Sequence, residues 1–274
     1  MQGIEFYRVS GSGNDFLALP EPAADPTPDQ VRAWCRRGVS LGADGLFTLR
    51  RRAPGTVAMD YRNADGTPAD LCLNGTRCAA RLAFDLGWAT DRVTVETGAG
   101  PLAARRLDHA TVSVAAPPPS RPEPLTLQAE NASWTAWRLT VGVPHLVLVW
   151  PDSLATAPVA TLGRALRHHP ALAPEGANVN FIHLTPDHLD IRTYERGVEA
   201  ETLACGTGVA AAAAVTLATT AATLPLTAQT RGGFPLTVTG PDPTSWHLAG
   251  DARLLAHGHL LPDAQTTPTP PPWA

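Results

Sequence analysis

Arg192–Leu224, RTYERGVEAETLACGTGVAAAAAVTLATTAATL, is the stretch around which the rest of the chain is read. Its centre is Thr202-Leu203-Ala204-Cys205-Gly206-Thr207-Gly208, followed at once by an alanine-dense run. A cysteine at the mouth of a helix meets the N–H groups of the first turn and the positive end of the macrodipole. Both favour a thiolate and predict a lowered thiol pKa. The two glycines let a ligand approach the backbone, so the same N–H groups can hold a carboxylate or phosphate. The small residues Val209–Ala214 suit a helix crowded from all sides. The same run also fits a buried core helix with an inert structural cysteine. What separates the two readings is a second copy of the pattern.

That copy is Leu71-Cys72-Leu73-Asn74-Gly75-Thr76-Arg77-Cys78 with AARLAFDL behind it and a stop at Gly87. Cys72 and Cys205 lie 133 residues apart, close to half of the 274-residue chain. A repeat of that period predicts two similar lobes, each with a cysteine at a helix N-terminus. The break between them is Ala115–Pro124, AAPPPSRPEP, a proline-rich stretch. Lobe one is expected over 1–117 and lobe two over 118–251. The tail 263–274, DAQTTPTPPPWA, has a composition expected to be disordered.

Composition removes several classes of function. A formal charge of −4 leaves no footprint for nucleic acid or an anionic membrane. Met1–Phe16 has neither a basic nor an apolar signal-peptide region, and the alanine run is interrupted by Thr216, Thr219 and Thr220. A cytoplasmic protein is therefore expected, with its four cysteines reduced. Their spacing matches no zinc pattern and no histidine has an HxxxH companion, so no metal is expected.

Local signals place the other elements. Ile4–Val9 reads as a strand, and SGSGNDF (Ser10–Phe16) as a turn, in which Asn14 is a turn residue or a ligand contact. GSGND lacks the lysine of a phosphate-binding loop. Thr27-Pro28-Asp29-Gln30 has a capping box with proline at the first helical position, predicting a helix through Trp34 and Cys35 that stops at Gly38. Strands are expected over 46–49, 57–61, 93–96, 111–114, 137–141, 146–149, 178–184 and 189–194, with a helix over 159–168. Gly142-Val143-Pro144-His145 reads as a turn.

In order, SGSGNDF, GADG, RNADG, LCLNGTRCAAR, GVPH, GANVNF, YERGVEAETLACGTG and a GD before the closing strand resemble diaminopimelate epimerase. This is a cofactor-independent amino-acid epimerase family of lysine and peptidoglycan-precursor synthesis. The blocks span nearly everything from Ile4 to Leu261. The resemblance implies an α/β (α+β) fold of two pseudo-symmetric lobes, each with strands wrapped around a central helix and the substrate in a cleft between them. The C-terminal strand, near 252–262, returns to the first lobe. It implies Cys205 as proton acceptor and Cys72 as donor for the LL substrate, with His145 and Glu195 tuning the thiols. Leu73, Asn74, Gly206 and Thr207 would hold the α-carboxylate. Asn14, Asn63, Asn178, Glu195 and Arg196 would hold the polar ends. The expected partner is a small-molecule amino acid, without cofactor, metal, nucleic acid or membrane, and a homodimer is the candidate assembly.

The chain departs from that pattern at Leu73, where members usually have glycine, and at Gly45 and Val143, which replace a Gln and an Asn used by some. Its ERGVEAET turn is one residue longer than in some members. Competing readings are a proline or hydroxyproline racemase of the same fold, a thiol hydrolase pairing His145 with one cysteine, and a binding protein without activity. The arginine and asparagines favour a substrate with a second charged end, which proline lacks.

Overall fold

The computed structural model describes residues 3–265. Two compact units divide the chain, one built from residues up to Val112 plus the stretch from Ala252, the other from Ser113–Asp251. Each is a mixed α/β layer structure with a short and a long helix.

In the first unit, Arg253–Leu260 pairs antiparallel with Ile4–Gly11, which pairs antiparallel with Asn14–Pro20. Gly45–Ala53 joins parallel, Thr56–Asn63 antiparallel, Arg92–Thr97 parallel and Gly100–Arg106 antiparallel. Side chains alternate across the pleat. Leu17, Leu19, Leu46 and Phe6 cluster with Val31 and Trp34 of helix α1, Pro28–Cys35. The capping box forms as the sequence dictates: Thr27 Oγ1 accepts the Gln30 N–H at 3.3 Å and Gln30 Oε1 accepts the Thr27 N–H at 2.8 Å. α1 ends at Cys35, earlier than the expected stop at Gly38. Arg36 is already extended (φ −70°, ψ 111°), and Gly38 supplies the left-handed turn beyond it. Helix α2, Leu73–Asp85, is buried through most of its length and packs against most of these strands.

The second unit repeats this plan. Glu123–Ala129, Ala132–Val141 and Val143–Val149 are successive antiparallel strands. Asn178–Leu184 then pairs parallel to Val143–Val149, and Leu189–Glu195 antiparallel to that. Leu226–Thr230 lies parallel to Leu189–Glu195 and leads into Pro235–Thr239 and His247–Asp251. Helix α3, Val159–Arg167, shares a core with Leu146, Leu148, Val179 and Phe181. Helix α4, Gly206–Thr219, is buried without interruption from Gly208 to Thr216 and touches the strands that carry His145, Asn178 and Glu195. It has no polar face because Ala, Gly and Val let backbone approach all round, and alanine offsets the helix cost of the glycines.

The proline-rich break is tied to the second unit, where Ser120 N–H donates to Thr140 O at 2.8 Å and Ala116 N–H to Trp246 O at 2.8 Å. His145 lies inside a strand, because Gly142 alone (φ 68°) makes the turn expected over Gly142–His145. Of the stretch expected to be disordered, residues 263–265 belong to a short 3-10 turn, with Ala264 against the α1 cluster. Residues 266–274 of it lie outside the described residues. No described helix is long and apolar enough to cross a membrane.

Candidate active site

Cys72 is the N-cap of α2 (φ −143°, ψ 98°), half-buried, and its Sγ accepts the Gly75 N–H at 3.4 Å. Its carbonyl accepts from the Thr76 N–H at 2.8 Å and the Thr76 hydroxyl at 2.9 Å, which locks the first turn. Leu73 opens the helix and is buried; it is not among the non-glycine residues with positive φ. Leucine therefore replaces glycine here without backbone strain, since an αR position needs no glycine.

Behind the cysteine runs a directed chain of hydrogen bonds. A guanidinium only donates, so Arg77, fully buried, forces the Asn74 carbonyl oxygen toward itself at 2.8 Å while also reaching Ser12 Oγ at 2.9 Å. The Asn74 amide then donates to Asn14 Oδ1 at 2.9 Å, and the Asn14 amide donates to Asp44 Oδ2 at 2.8 Å. Asp44 and Asp15 are gripped by Arg37, and Arg8 also pairs with Asp15. Burial alone would raise the Asp15 pKa, but Arg37 and Arg8 outweigh it and the carboxyl sits below its ordinary range. Asn63 does not join this chain. It accepts the Tyr61 hydroxyl at 3.2 Å and donates to Thr67 Oγ1 at 3.2 Å, one strand over, opposite Gly45. Tyr61 fills the space beside Gly45, where a Cβ would meet its ring at 2.7 Å.

In the second unit Cys205 is the N-cap of α4 (φ −115°, ψ 110°) and its carbonyl accepts the Val209 N–H at 3.0 Å. The expected lowering of its thiol pKa is reversed. Burial, at 8% exposure, and then the negative charge of Glu195 push the thiol well above its ordinary value. Hydrogen bonds from Thr207 and the Gly208 N–H pull the other way and lose. Glu195 also accepts the Thr202 hydroxyl at 2.6 Å. Cys205 is thus held as a thiol.

His145 is fully buried on the strand beside Asn178. Burial, and secondarily the charge of Arg196, lower its pKa to about 3, so the imidazole is neutral. The Asn180 amide donates to Leu146 O at 3.1 Å and lies 3.2 Å from His145 Nδ1, while its oxygen accepts the Thr193 hydroxyl at 3.0 Å. That polarity makes Nδ1 the acceptor and assigns the imidazole proton to Nε2. Asn178 Oδ1 accepts the Arg196 N–H at 2.8 Å. The half-buried Arg196 guanidinium has no ion pair or hydrogen bond among the described residues. The Glu199 carboxylate, three residues on, is taken by Arg167 and His168.

Sequence reasoning misses Asn180, Thr193, Thr202, Ser12 and Arg77. Asn180 is legible in principle: in GANVNF it stands two residues from Asn178, on the same face of a strand. The sequence reads Gly208 as one of two glycines that open the backbone to a ligand, and the structure adds a packing role. A Cβ there would lie 2.3 Å from Asn180 Oδ1 and 3.2 Å from Cys205 Sγ. Asn180 is pinned through both ends of its amide and cannot retreat. Gly208→Ala is expected to destabilise the fold by about 1–3 kcal/mol, seen as a lower urea or thermal midpoint; an unchanged midpoint would show that the helix shifts freely.

The family model described as diaminopimelate epimerase matches residues 6–120 and 138–255. The chain belongs to the diaminopimelate epimerase family. Among curated members, the diaminopimelate epimerase of Aquifex aeolicus is 37% identical over 86% of this chain and 89% of its own length. That of Chlorobaculum tepidum is 40% identical over 75% and 80%. Family membership makes the chain an epimerase, an isomerase of small-molecule amino acids. Solved structures share its fold at much lower identity. A phenazine biosynthesis protein of Enterococcus faecalis superposes with TM-score 0.73 at 16% identity, covering 95% of this chain and 100% of that one. A hydroxyproline epimerase of Agrobacterium vitis gives 0.66 at 14%, covering 94% and 92%.

Proposed function

We propose that this epimerase interconverts LL- and meso-diaminopimelate by a two-base mechanism with Cys72 and Cys205 as the acid–base pair, in lysine and peptidoglycan-precursor biosynthesis. The observation that carries the reading is that each unit offers one cysteine as N-cap of its innermost helix. An α-proton beside a carboxylate is a poor acid, and inversion without a cofactor needs a base on one face and an acid on the other. The leading N–H groups of each helix, at Leu73 and Asn74 and at Gly206 and Thr207, serve the α-carboxylate, where negative charge grows as the proton leaves. In α4 the Val209 and Gly208 N–H groups turn back onto Cys205, leaving the two before them for that role.

The thiol form of Cys205 is ready to donate, which suits the meso-to-LL direction. For LL to meso its proton first passes to an acceptor, and Glu195 is hydrogen-bonded to the sulfur. Glu195 tunes Cys205 through that bond and its charge; His145, neutral, acts as a dipole and Nε2–H donor. Asn14, Asn63, Asn178 and Arg196 hold the distal amino acid end. A Cys–His hydrolase is disfavoured because His145 is fully buried with Nδ1 held by Asn180. The four free cysteines support a reducing, cytoplasmic setting.

Proton NMR in D₂O with LL-diaminopimelate tests the reading: α-deuterium and the meso isomer should appear together without added cofactor. Exchange on proline but not on diaminopimelate would overturn it. Arg196→Lys is expected to lose about 10- to 100-fold in kcat/KM, because lysine keeps charge but not the planar fork. Its thermal midpoint should hold, since the guanidinium makes no described ion pair. A loss under about threefold would remove Arg196 from the site.

A further inference from the structure

The turn carrying Arg196 links Leu189–Glu195 to the short strand Ala200–Thr202, with Glu195 opposite Ala200. It contains two left-handed residues, Gly197 at φ 86° and Glu199 at φ 55°. Glycine adopts such an angle freely, whereas glutamate does so at a cost. Glu199 is therefore in a conformation that its surroundings must impose.

The contacts that impose it are numerous for a residue on an exposed turn. Its N–H donates to Glu195 O at 2.9 Å, and its carbonyl accepts the buried Tyr194 hydroxyl at 2.6 Å. One carboxylate oxygen accepts the Gly197 N–H and Arg167 Nε, each at 3.1 Å; the other lies 2.9 Å from His168 Nε2. Arg167 and His168 are the last residue and C-cap of α3, and Arg167 is itself anchored to Glu175 O at 3.0 Å. Burial would raise the Glu199 pKa, but the Gly197 N–H, Arg167 and His168 hold it below its ordinary value. The turn is thus staked at both ends, by Asn178 on the Arg196 N–H and by α3 on Glu199. Between the stakes, the Arg196 guanidinium has no described partner.

We infer that Glu199 is a positioning residue, holding the 196–199 turn to α3 so that the Arg196 guanidinium is presented ready-formed to the distal carboxylate of the substrate. The inference rests on the proposed role of Arg196. Preorganisation of this kind lowers the ordering cost of binding, so it is read in KM and not in the chemical step.

The test is steady-state kinetics with LL-diaminopimelate on Glu199→Gly, Glu199→Gln, Arg196→Lys and the double variant Arg196→Lys/Glu199→Gly. Glycine relieves the cost of the left-handed angle while removing the carboxylate, so the thermal midpoint should stay close to that of the parent. KM should rise about fivefold or more with kcat within about twofold. Glu199→Gln, which keeps the chain length and weakens only the charged grip, should rise less and serves if the glycine variant folds poorly. In the double variant the Glu199 change should add little to Arg196→Lys, since both act through one guanidinium. A lowered midpoint with unchanged KM, or fully additive effects, would make Glu199 a purely structural residue. If Arg196→Lys itself left KM unmoved, the role of Arg196 would fall, and this inference with it. A large Arg196 effect beside a silent Glu199 would sink the inference alone.

Discussion

Cys72→Ala and Cys205→Ala are each expected to lower epimerisation by about 10²–10⁴-fold, because each removes the proton donor or acceptor of one face. The loss should be selective in an informative way. A variant with one thiol can still remove and return the proton facing that thiol, exchanging it with solvent without inversion. With Cys205 serving the LL face, Cys72→Ala in D₂O should deuterate LL-diaminopimelate while forming almost no meso isomer. Cys205→Ala should show the mirror behaviour from the meso side. Cys35→Ala and Cys78→Ala should keep most activity. Cys35 is buried against the α1 cluster, where burial and then the charge of Asp15 push its thiol up to about 12. Cys78 lies inside α2 with no exposure and packs close to Gly11. An inactive Cys78→Ala beside an active Cys72→Ala would mean that the wrong cysteine of the first motif has been assigned to chemistry.

What can be read from residues alone is what neighbours in sequence decide. The α1 capping box is made within four residues, and the cysteine–glycine openings of α2 and α4 are equally local. The alternation of Asn178 and Asn180 lies in one strand. What cannot be read depends on segments far apart in the chain. The helix alone would acidify the thiol of Cys205, yet burial and Glu195, ten residues upstream, reverse the sign. Arg77 looks like a surface residue of a helix until Ser12, 65 residues away, closes over it. Leu73 stands out as a departure only where glycine is expected; the backbone there is helical and asks for no glycine. His145 reads as a turn residue because Gly-x-Pro precedes it, whereas strand pairing on both sides takes it into the core.

That burial of His145 sets a large dependence of stability on pH. Its pKa falls from an ordinary value near 6.5 to about 3, through burial first and the Arg196 charge second. Below about pH 6.5 the unfolded chain binds a proton that the native state refuses. The stabilisation is therefore complete above that pH and is lost as pH falls toward 3. Each pH unit corresponds to about 1.4 kcal/mol, so the single histidine accounts for a loss of about 2–3 kcal/mol between pH 6 and pH 4. Urea unfolding of the parent and of His145→Gln across that range isolates the effect, because Asp15, Glu199 and the other carboxylates titrate in both proteins and cancel in the difference. Glutamine cannot fill the ring's space, so the variant should be less stable at neutral pH, with a gap that narrows steadily as the solution is acidified. A gap that stayed constant from pH 6 to 4 would mean that His145 is solvated or protonated in the native protein. In that case it would face the Arg196 charge as a cation, and its assignment as a neutral imidazole would have to be abandoned.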